Sequence, residues 1–238
     1  MRNDTTRDDL PSEPLIVEDL TLLMMDDASG AVAGAGTLFY TQGGAVLADL
    51  ALGGHVEVDE RDKGLTGLRV HAVAGRPPAD PLLRDAYDKA AEKPRGVQTL
   101  LASAGPLLRE PVLDRLAERG VITRERRKAL GLFPTTAVRV ADTGRKAALV
   151  ERVRAVLVDG AEPDARTAAL IGLLSASGTL VSLHRSVPWT GPVVKRAKEI
   201  ERGDWGAEAV SAAVLRTTAA VAASSAAAVA ASVTAATS

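Results

Sequence analysis

Few residues in this sequence could form a reactive centre. Cysteine is absent, which excludes disulfides, thiolate nucleophiles and cysteine-ligated zinc. The three histidines, His55, His71 and His184, lie far apart and have no HExxH-like spacing, so no metal site is predicted. The chain also lacks the Gly-x-Ser-x-Gly motif that marks a serine nucleophile. We therefore expect a protein that is not an enzyme and that uses no cofactor.

Two pairs of adjacent carboxylates are the remaining candidates for acid–base chemistry. They are Glu18–Asp19 and Asp26–Asp27. A general acid and its base need opposed positions and shifted pKa values, which neighbours in a chain do not provide. We interpret the first pair as solvated surface and the second as part of a turn over residues 26–30.

Residues 30–36 contain three glycines and resemble a phosphate-binding loop at first sight. The stretch lacks the Gly-Lys-Ser/Thr ending of a P-loop, and it lacks the GxGxxG spacing of a dinucleotide-binding fold. We interpret it as a flexible turn, and no nucleotide is predicted.

Basic side chains are concentrated in two places. The densest cluster is Arg119, Arg124, Arg126, Arg127 and Lys128. It lies beside a predicted hairpin, where a winged-helix protein could follow a phosphate backbone, but Glu118 and Glu125 dilute it, so a solvated face is the alternative. A second group is spread along one predicted helix and is interpreted as its outer face: Arg145, Lys146, Arg152 and Arg154.

Residues 180–189 are rich in apolar side chains yet have no helical or alternating pattern. Apolar material outside a regular element must be buried, either beneath its own domain or in a partner, and the sequence leaves both alternatives open. Trp189 is a natural anchor for a partner contact.

These segments must be positioned by a mainly helical framework. Hydrophobic residues make up 46% of the chain and aromatic residues only 3%, so the core is built from Leu, Val and Ala. The patterns predict a helix over residues 38–52, which Gly43 and Gly44 should weaken, and further helices capped by Asp80, Asp142, Asp164 and Asp204. Alternating patterns predict two small β-hairpins, near residues 55–73 and 121–140.

The chain is predicted to form a single domain. Residues 1–14 are interpreted as a disordered leader, residues 15–223 as the helical domain and residues 224–238 as a loose tail rich in Ala and Ser. The uncharged stretch 217–238 is too poor in Leu, Ile and Phe to predict a membrane span, and it favours a buried helix of small residues. Without a signal peptide, the expected location is the cytoplasm.

Four motifs, taken in order, resemble a known family. They are LIVEDLTLL (residues 15–23), GAVLADLALGGHV (44–56), LAERGVIT (116–123) and AALIGLLSA (168–176). The alanine-rich end from Ala209 also fits. Together these motifs are similar to the Golgi phosphoprotein 3 family, and the resemblance spans nearly the whole predicted domain.

The resemblance implies a mainly helical single domain whose central hydrophobic helix, at the C-terminus, is buried. It also implies peripheral attachment to membranes that contain phosphatidylinositol 4-phosphate, and a projecting hairpin used for homo-oligomerisation. By position, residues 180–189 match that hairpin, which makes Leu183, His184, Val187 and Trp189 the oligomerisation candidates.

The resemblance also implies a headgroup pocket that uses a tryptophan and several arginines. Arg166 stands at one of the arginine positions and is the lipid-binding candidate, while Gly43, Glu162 and Ala165 replace the others. The loop of residues 30–36, which carries the tryptophan in relatives, has no aromatic residue here.

Three hypotheses follow. The first is a peripheral membrane adaptor that binds an anionic, phosphoinositide-like lipid. The second is a winged-helix-like nucleic-acid-binding regulator using residues 124–128, although the net charge of −1 supplies no general attraction to nucleic acid. The third is a structural oligomer without a ligand.

Overall fold

Helix α2 (Leu38–Leu52) packs against five of the other helices, and its bounds agree with the prediction. The computed structural model describes residues 13–34, 36–64, 67–129, 133–203 and 212–236. Within these residues the chain is mainly helical, which confirms the predicted fold class. Every residue from 41 to 51 is buried, as expected of a helix that other helices surround.

The remaining elements are short helices and strands. The other α-helices in chain order are α1 (Ile16–Met24), α3 (Pro81–Glu92), α4 (Val97–Ala104), α5 (Arg109–Glu118), α6 (Thr143–Leu157), α7 (Ala165–Ala176), α8 (Gly191–Glu201) and α9 (Ala212–Ala236). Single 3-10 turns cover Gly105–Leu107 and Leu180–Leu183. The strands are β1 (Val56–Gly64), β2 (Gly67–Ala72), β3 (Arg95–Gly96), β4 (Ile122–Ala129) and β5 (Phe133–Val140).

Both predicted hairpins are confirmed. Strands β1 and β2 pair in antiparallel fashion, and β3 adds a short third strand beside β2. Val58 and Val70 face each other in this sheet and are buried, which explains the alternating pattern of the sequence. Strands β4 and β5 form a separate two-stranded sheet.

Three of the predicted helix caps are confirmed. Asp80, Asp142 and Asp164 each accept a hydrogen bond of 2.7–2.9 Å from a backbone N–H in the first turn of α3, α6 and α7. These bonds satisfy donors that the helix itself cannot satisfy. The expected cap at Asp204 lies outside the described residues.

Helix α9 corrects the predicted C-terminus in two respects. It continues to Ala236, so residues 224–236 are helical and do not form a loose tail. Over residues 219–231, where its side chains are described, one face is buried: Val221 and Ser225 are inaccessible, whereas Ala223 and Ala227 are exposed. The central buried helix is therefore α2, and α9 packs against it, because small side chains permit close approach but provide little surface to bury.

The predicted disordered leader lies outside the described residues except for Glu13 and Pro14. Glu13 is exposed, and the carbonyl oxygen of Pro14 accepts a hydrogen bond from Arg166.

Gly44 has a packing role that outweighs its poor helix propensity. A Cβ placed there would lie 2.8 Å from Leu173 Cδ2 and 2.8 Å from Ser225 Oγ. Helices α7 and α9 thus approach α2 more closely than any side chain at this position would permit. The glycine was expected to weaken α2, but it is what allows three helices to meet.

The first carboxylate pair is buried, and its interpretation as solvated surface is wrong. Glu18 accepts a 2.8 Å hydrogen bond from Arg119, just after α5. Asp19 accepts hydrogen bonds from Arg145 of α6 at 2.6 Å and from Arg166 of α7 at 2.7 Å. Helix α1 is surrounded by protein, so its carboxylates enter the interior with it and need cationic partners there.

Asp49 of α2 adds a third buried carboxylate to this cluster. Its Oδ2 accepts a 2.8 Å hydrogen bond from the backbone N–H of Ile16, at the start of α1. Arg166 Nη1 lies 3.9 Å from its Oδ1. Burial raises the pKa of Asp49 to about 7, although the Ile16 hydrogen bond and the Arg166 charge act in the opposite direction.

Replacing Gly44 by valine should lower the free energy of unfolding by about 2–3 kcal/mol, because the added methyl groups overlap Leu173 and Ser225. Chemical denaturation measures the loss. Gly36→Val is the matched control, since no atom lies within 4 Å of a Cβ added there. Equal stability of the two variants would contradict the proposed close approach.

The raised pKa of Asp49 predicts a specific pH dependence of stability. Between pH 4 and pH 7 the folded chain keeps a proton that the unfolded chain has released, so stability decreases as the pH rises through this window and is level above it. The decrease should approach about 4 kcal/mol.

The side chain introduced by Asp49→Asn cannot titrate. This variant should therefore lose the decrease of stability between pH 4 and pH 7, as measured by denaturation at a series of pH values. Asp88→Asn, an exposed carboxylate on α3, is the control and should retain the slope. A slope that persists in Asp49→Asn would assign the pH dependence to other groups.

Candidate functional site

Arg166, the predicted headgroup ligand, is held by protein groups. It donates hydrogen bonds to Asp19 Oδ2 and to the carbonyl oxygen of Pro14, and its side chain is largely covered. A phosphate at this position would have to share the guanidinium with Asp19 and Pro14, whose oxygens accept from its Nε and Nη2. Arg166 therefore has a structural role in the buried charge cluster.

The glycine loop of the predicted headgroup pocket is not brought together with Arg166. Arg166 is the second residue of α7, whereas the glycine loop of residues 30–36 lies beyond the opposite end of that helix. A Cβ added at Gly34 would lie 3.0 Å from Thr179 Cγ2, which follows α7. Because α7 has 12 residues, the two parts are about 18 Å apart along its axis.

Residues 180–189 do not form a hairpin, which corrects their match to the projecting hairpin of the family. They form a 3-10 turn followed by hydrogen-bonded turns. Leu183 and Val187 are buried in the core of the domain, whereas His184 and Trp189 are exposed. The described hairpins are β1–β2 and β4–β5. The segment is thus buried in its own domain through Leu183 and Val187, while Trp189 stays exposed.

A cleft of about 740 Å³ opens where the glycine loop meets this segment. One wall comes from the end of α1 and residues 26–33, another from α6, and the third from residues 182–186. Side chains of Met24, Val32, Val150 and Leu183 make its lining partly apolar. Its volume is in the range of small-molecule sites in proteins.

The walls of the cleft are held by hydrogen bonds within the chain. Asp26 N–H donates to the Ala31 carbonyl at 2.7 Å, and Ala33 N–H donates to the Met24 carbonyl at 2.8 Å. Lys146 Nζ donates to Asp27 at 2.5 Å and also to the Met25 carbonyl, which ties the turn to α6. These hydrogen bonds fix the positions of the residues that line the cleft.

Arg185 is the cation of the cleft that makes no hydrogen bond or ion pair within the described residues. The acidic side chains around it are satisfied in other ways: Asp27 pairs with Lys146, and Glu151 contacts Arg154 at 3.3 Å. Hydrogen bonds from the backbone and side chain of Ser29 lower the pKa of Asp26, with a smaller contribution from the charge of Arg185. A negative ligand group would find its donor at Arg185.

The basic clusters of the sequence are largely engaged in ion pairs. Arg119 holds Glu18, and Arg124 contacts Glu110 at 2.5 Å as well as Asp114. The side chains of residues 126–128 lie outside the described part of the chain. In the second group, Arg145 and Lys146 face α1, which corrects their assignment to the outer face of α6.

The sequence alone does not indicate that Lys146 and Arg185 line the same cleft. The spacing of Thr143, Lys146, Ala147 and Val150 by three and four residues indicates one face of a helix, but no local pattern indicates what that face meets. Among the described residues, no group of three or more His, Asp or Glu side chains could hold a metal ion. No described helix is long and apolar enough to cross a bilayer.

Comparison with known proteins identifies the framework. No curated protein sequence matches this chain. The family model described as Golgi phosphoprotein 3 (GPP34) matches residues 16–217, which include α1 through α8. Because this match covers most of the 238 residues, the chain belongs to the Golgi phosphoprotein 3 family.

Proposed function

We propose that this protein is a non-enzymatic, cytoplasmic adaptor that attaches peripherally to membranes containing acidic phospholipids. Residues 180–203 form the proposed membrane-facing surface. The observation that carries the proposal is an exposed tryptophan on a locally basic segment. Family membership supports it, because the resemblance implies attachment to phosphoinositide membranes.

The charge of this surface differs from that of the whole chain. Residues 180–203 contain five basic and two acidic side chains, a net charge of +3, whereas the chain carries −1. The ion pairs Lys195–Glu199 and Lys198–Glu201 lie within the segment, so they leave its net charge unchanged. Each basic residue near an acidic bilayer contributes about 1 kcal/mol of attraction.

The apolar part of the surface suits the interfacial region of a bilayer. Trp189 is 50% exposed and Val181 is 45% exposed, which is unusual for side chains of this type. Tryptophan prefers the headgroup level of membranes, where its ring is partly apolar and its N–H is hydrated. Arg185 lies between these two residues in the chain and supplies a donor for phosphate.

We propose a general preference for acidic lipids and not recognition of one phosphoinositide. The glycine loop of the predicted headgroup pocket lies about 18 Å from Arg166 along α7, and a multiply phosphorylated headgroup needs several convergent donors. Charge density and the interfacial tryptophan would then set the affinity.

Vesicle flotation tests this function. The chain should float with vesicles of phosphatidylcholine plus phosphatidylserine and remain behind with phosphatidylcholine alone. Arg185→Gln should weaken vesicle binding about fivefold, because it removes one basic contact. The single variant Trp189→Ala should weaken binding more than Arg185→Gln does. Matched controls are Arg152→Gln and Val158→Ala, which change exposed side chains elsewhere.

Three results would contradict the proposal. Equal recovery with and without acidic lipid would exclude electrostatic attachment. Equal loss in the control variants would remove residues 180–203 as the contact surface. Selective loss in Arg166→Lys, with its thermal stability unchanged, would return the headgroup site to Arg166.

Self-association is a second candidate function for the same surface, since exposed Trp189 and Val181 also fit a contact between two copies. Trp189→Asp should then convert an oligomer to a monomer in analytical ultracentrifugation without loss of helix content. Deleting residues 183–187 is not a suitable test, because Leu183 and Val187 belong to the core. A wild-type chain that is monomeric at all concentrations would exclude this candidate.

A further inference from the structure

We infer that the cleft between residues 26–33, α6 and residues 182–186 binds a single-chain anionic amphiphile, with its hydrocarbon chain on the apolar lining and its anionic head at Arg185. This inference concerns one ligand molecule inside a cavity and does not depend on attachment to a bilayer. The class of ligand is a long-chain carboxylate or a lysophospholipid.

The apolar lining provides the argument for a hydrocarbon chain. Met24, Met25 and Leu183 are core residues whose remaining accessible atoms line the cleft, and Val32 and Val150 extend the lining towards solvent. Methionine side chains adapt to flexible apolar ligands. The cleft opens to solvent, so the anionic head of a ligand can stay hydrated while its chain contacts the lining.

The charges provide the argument for an anionic head. Lys146 is committed to Asp27 and the Met25 carbonyl, and Glu151 lies beside Arg154. Asp26 takes three hydrogen bonds, from the backbone and hydroxyl of Ser29 and the backbone of Ala28. Arg185 remains with its donors unused among the described residues. A carboxylate or phosphate could therefore accept hydrogen bonds from the guanidinium of Arg185, whose charge otherwise acts on Asp26.

The rigidity of the walls favours a ligand over collapse of the space. The bridge between Met25 and Val32 closes the turn on one side. On the other side, Ser182 Oγ donates to the Thr179 carbonyl at 2.7 Å, and Ser186 N–H donates to the Leu183 carbonyl at 2.9 Å. Neither wall needs to order itself when a ligand enters, so binding loses little conformational entropy.

Isothermal titration calorimetry on the full chain with dodecanoate below its critical micelle concentration, in the absence of vesicles, is the direct test. We expect one saturable site. Decanoate, which is two methylenes shorter, should bind about tenfold more weakly. 1-Decanol should bind more weakly than decanoate in the wild type, and Arg185→Gln should remove this difference. Lysophosphatidic acid with a twelve-carbon chain reports whether a phosphate head binds more tightly than a carboxylate.

Two alanines of α6 provide a matched pair of variants. Ala147 lines the cleft and Ala148 does not, and both are exposed, so neither substitution disturbs the core. Ala147→Trp should fill the cleft and abolish dodecanoate binding, whereas Ala148→Trp should bind as the wild type does.

The inference is overturned if the wild type shows no saturable binding, if Ala147→Trp binds normally, or if decanol and decanoate bind equally.

Flotation of Ala147→Trp with acidic vesicles separates the two proposals. Retained flotation with lost dodecanoate binding is the expected result. A wild type that binds dodecanoate but never floats would refute the membrane proposal and leave this one standing.

Discussion

The requirement that the buried carboxylates of α1 find cationic partners organises this protein. Glu18 and Asp19 lie on a helix with no solvated face, and Arg119, Arg145 and Arg166 reach them from three different parts of the chain. Removing one partner from such a pair typically costs 3–5 kcal/mol, because it leaves an unpaired charge in the interior. The cluster therefore fixes the relative positions of α1, α5, α6 and α7.

This constraint also bears on the proposed membrane-facing surface. Arg166 donates from its Nε and Nη2 to groups of the framework. At the other end of α7, Arg185 makes no hydrogen bond or ion pair among the described residues, a partly apolar cleft opens, and Trp189 is exposed. We propose that a lipid surface or an amphiphile binds at this end.

The sequence predicts the helical class, α2, both hairpins and three N-caps, because each depends on local patterns of spacing and capping. It does not predict the burial of Glu18 and Asp19, since that depends on residues up to 147 positions away. A local signal was present, however: the carboxylates interrupt a run that is otherwise almost entirely apolar from Leu15 to Met25. A helix that is apolar on every side is buried, and any charge on it is buried with it.

The same limit applies to Gly44 and to the segment around Leu183. Helix propensity predicts that Gly44 destabilises α2. In the structure, its missing side chain allows α7 and α9 to pack close to α2. Family position alone assigned residues 180–189 to a hairpin, although the segment lacks the alternation of a strand. In both cases the deciding contacts are tertiary, and no window of neighbouring residues contains them.

The charge cluster and the cleft lie at opposite ends of α7, about 18 Å apart along the helix. At this distance, substitutions act independently on stability. Side chains around residue 185 can therefore be replaced without weakening the ion pairs of Asp19 that hold α1, α6 and α7 together.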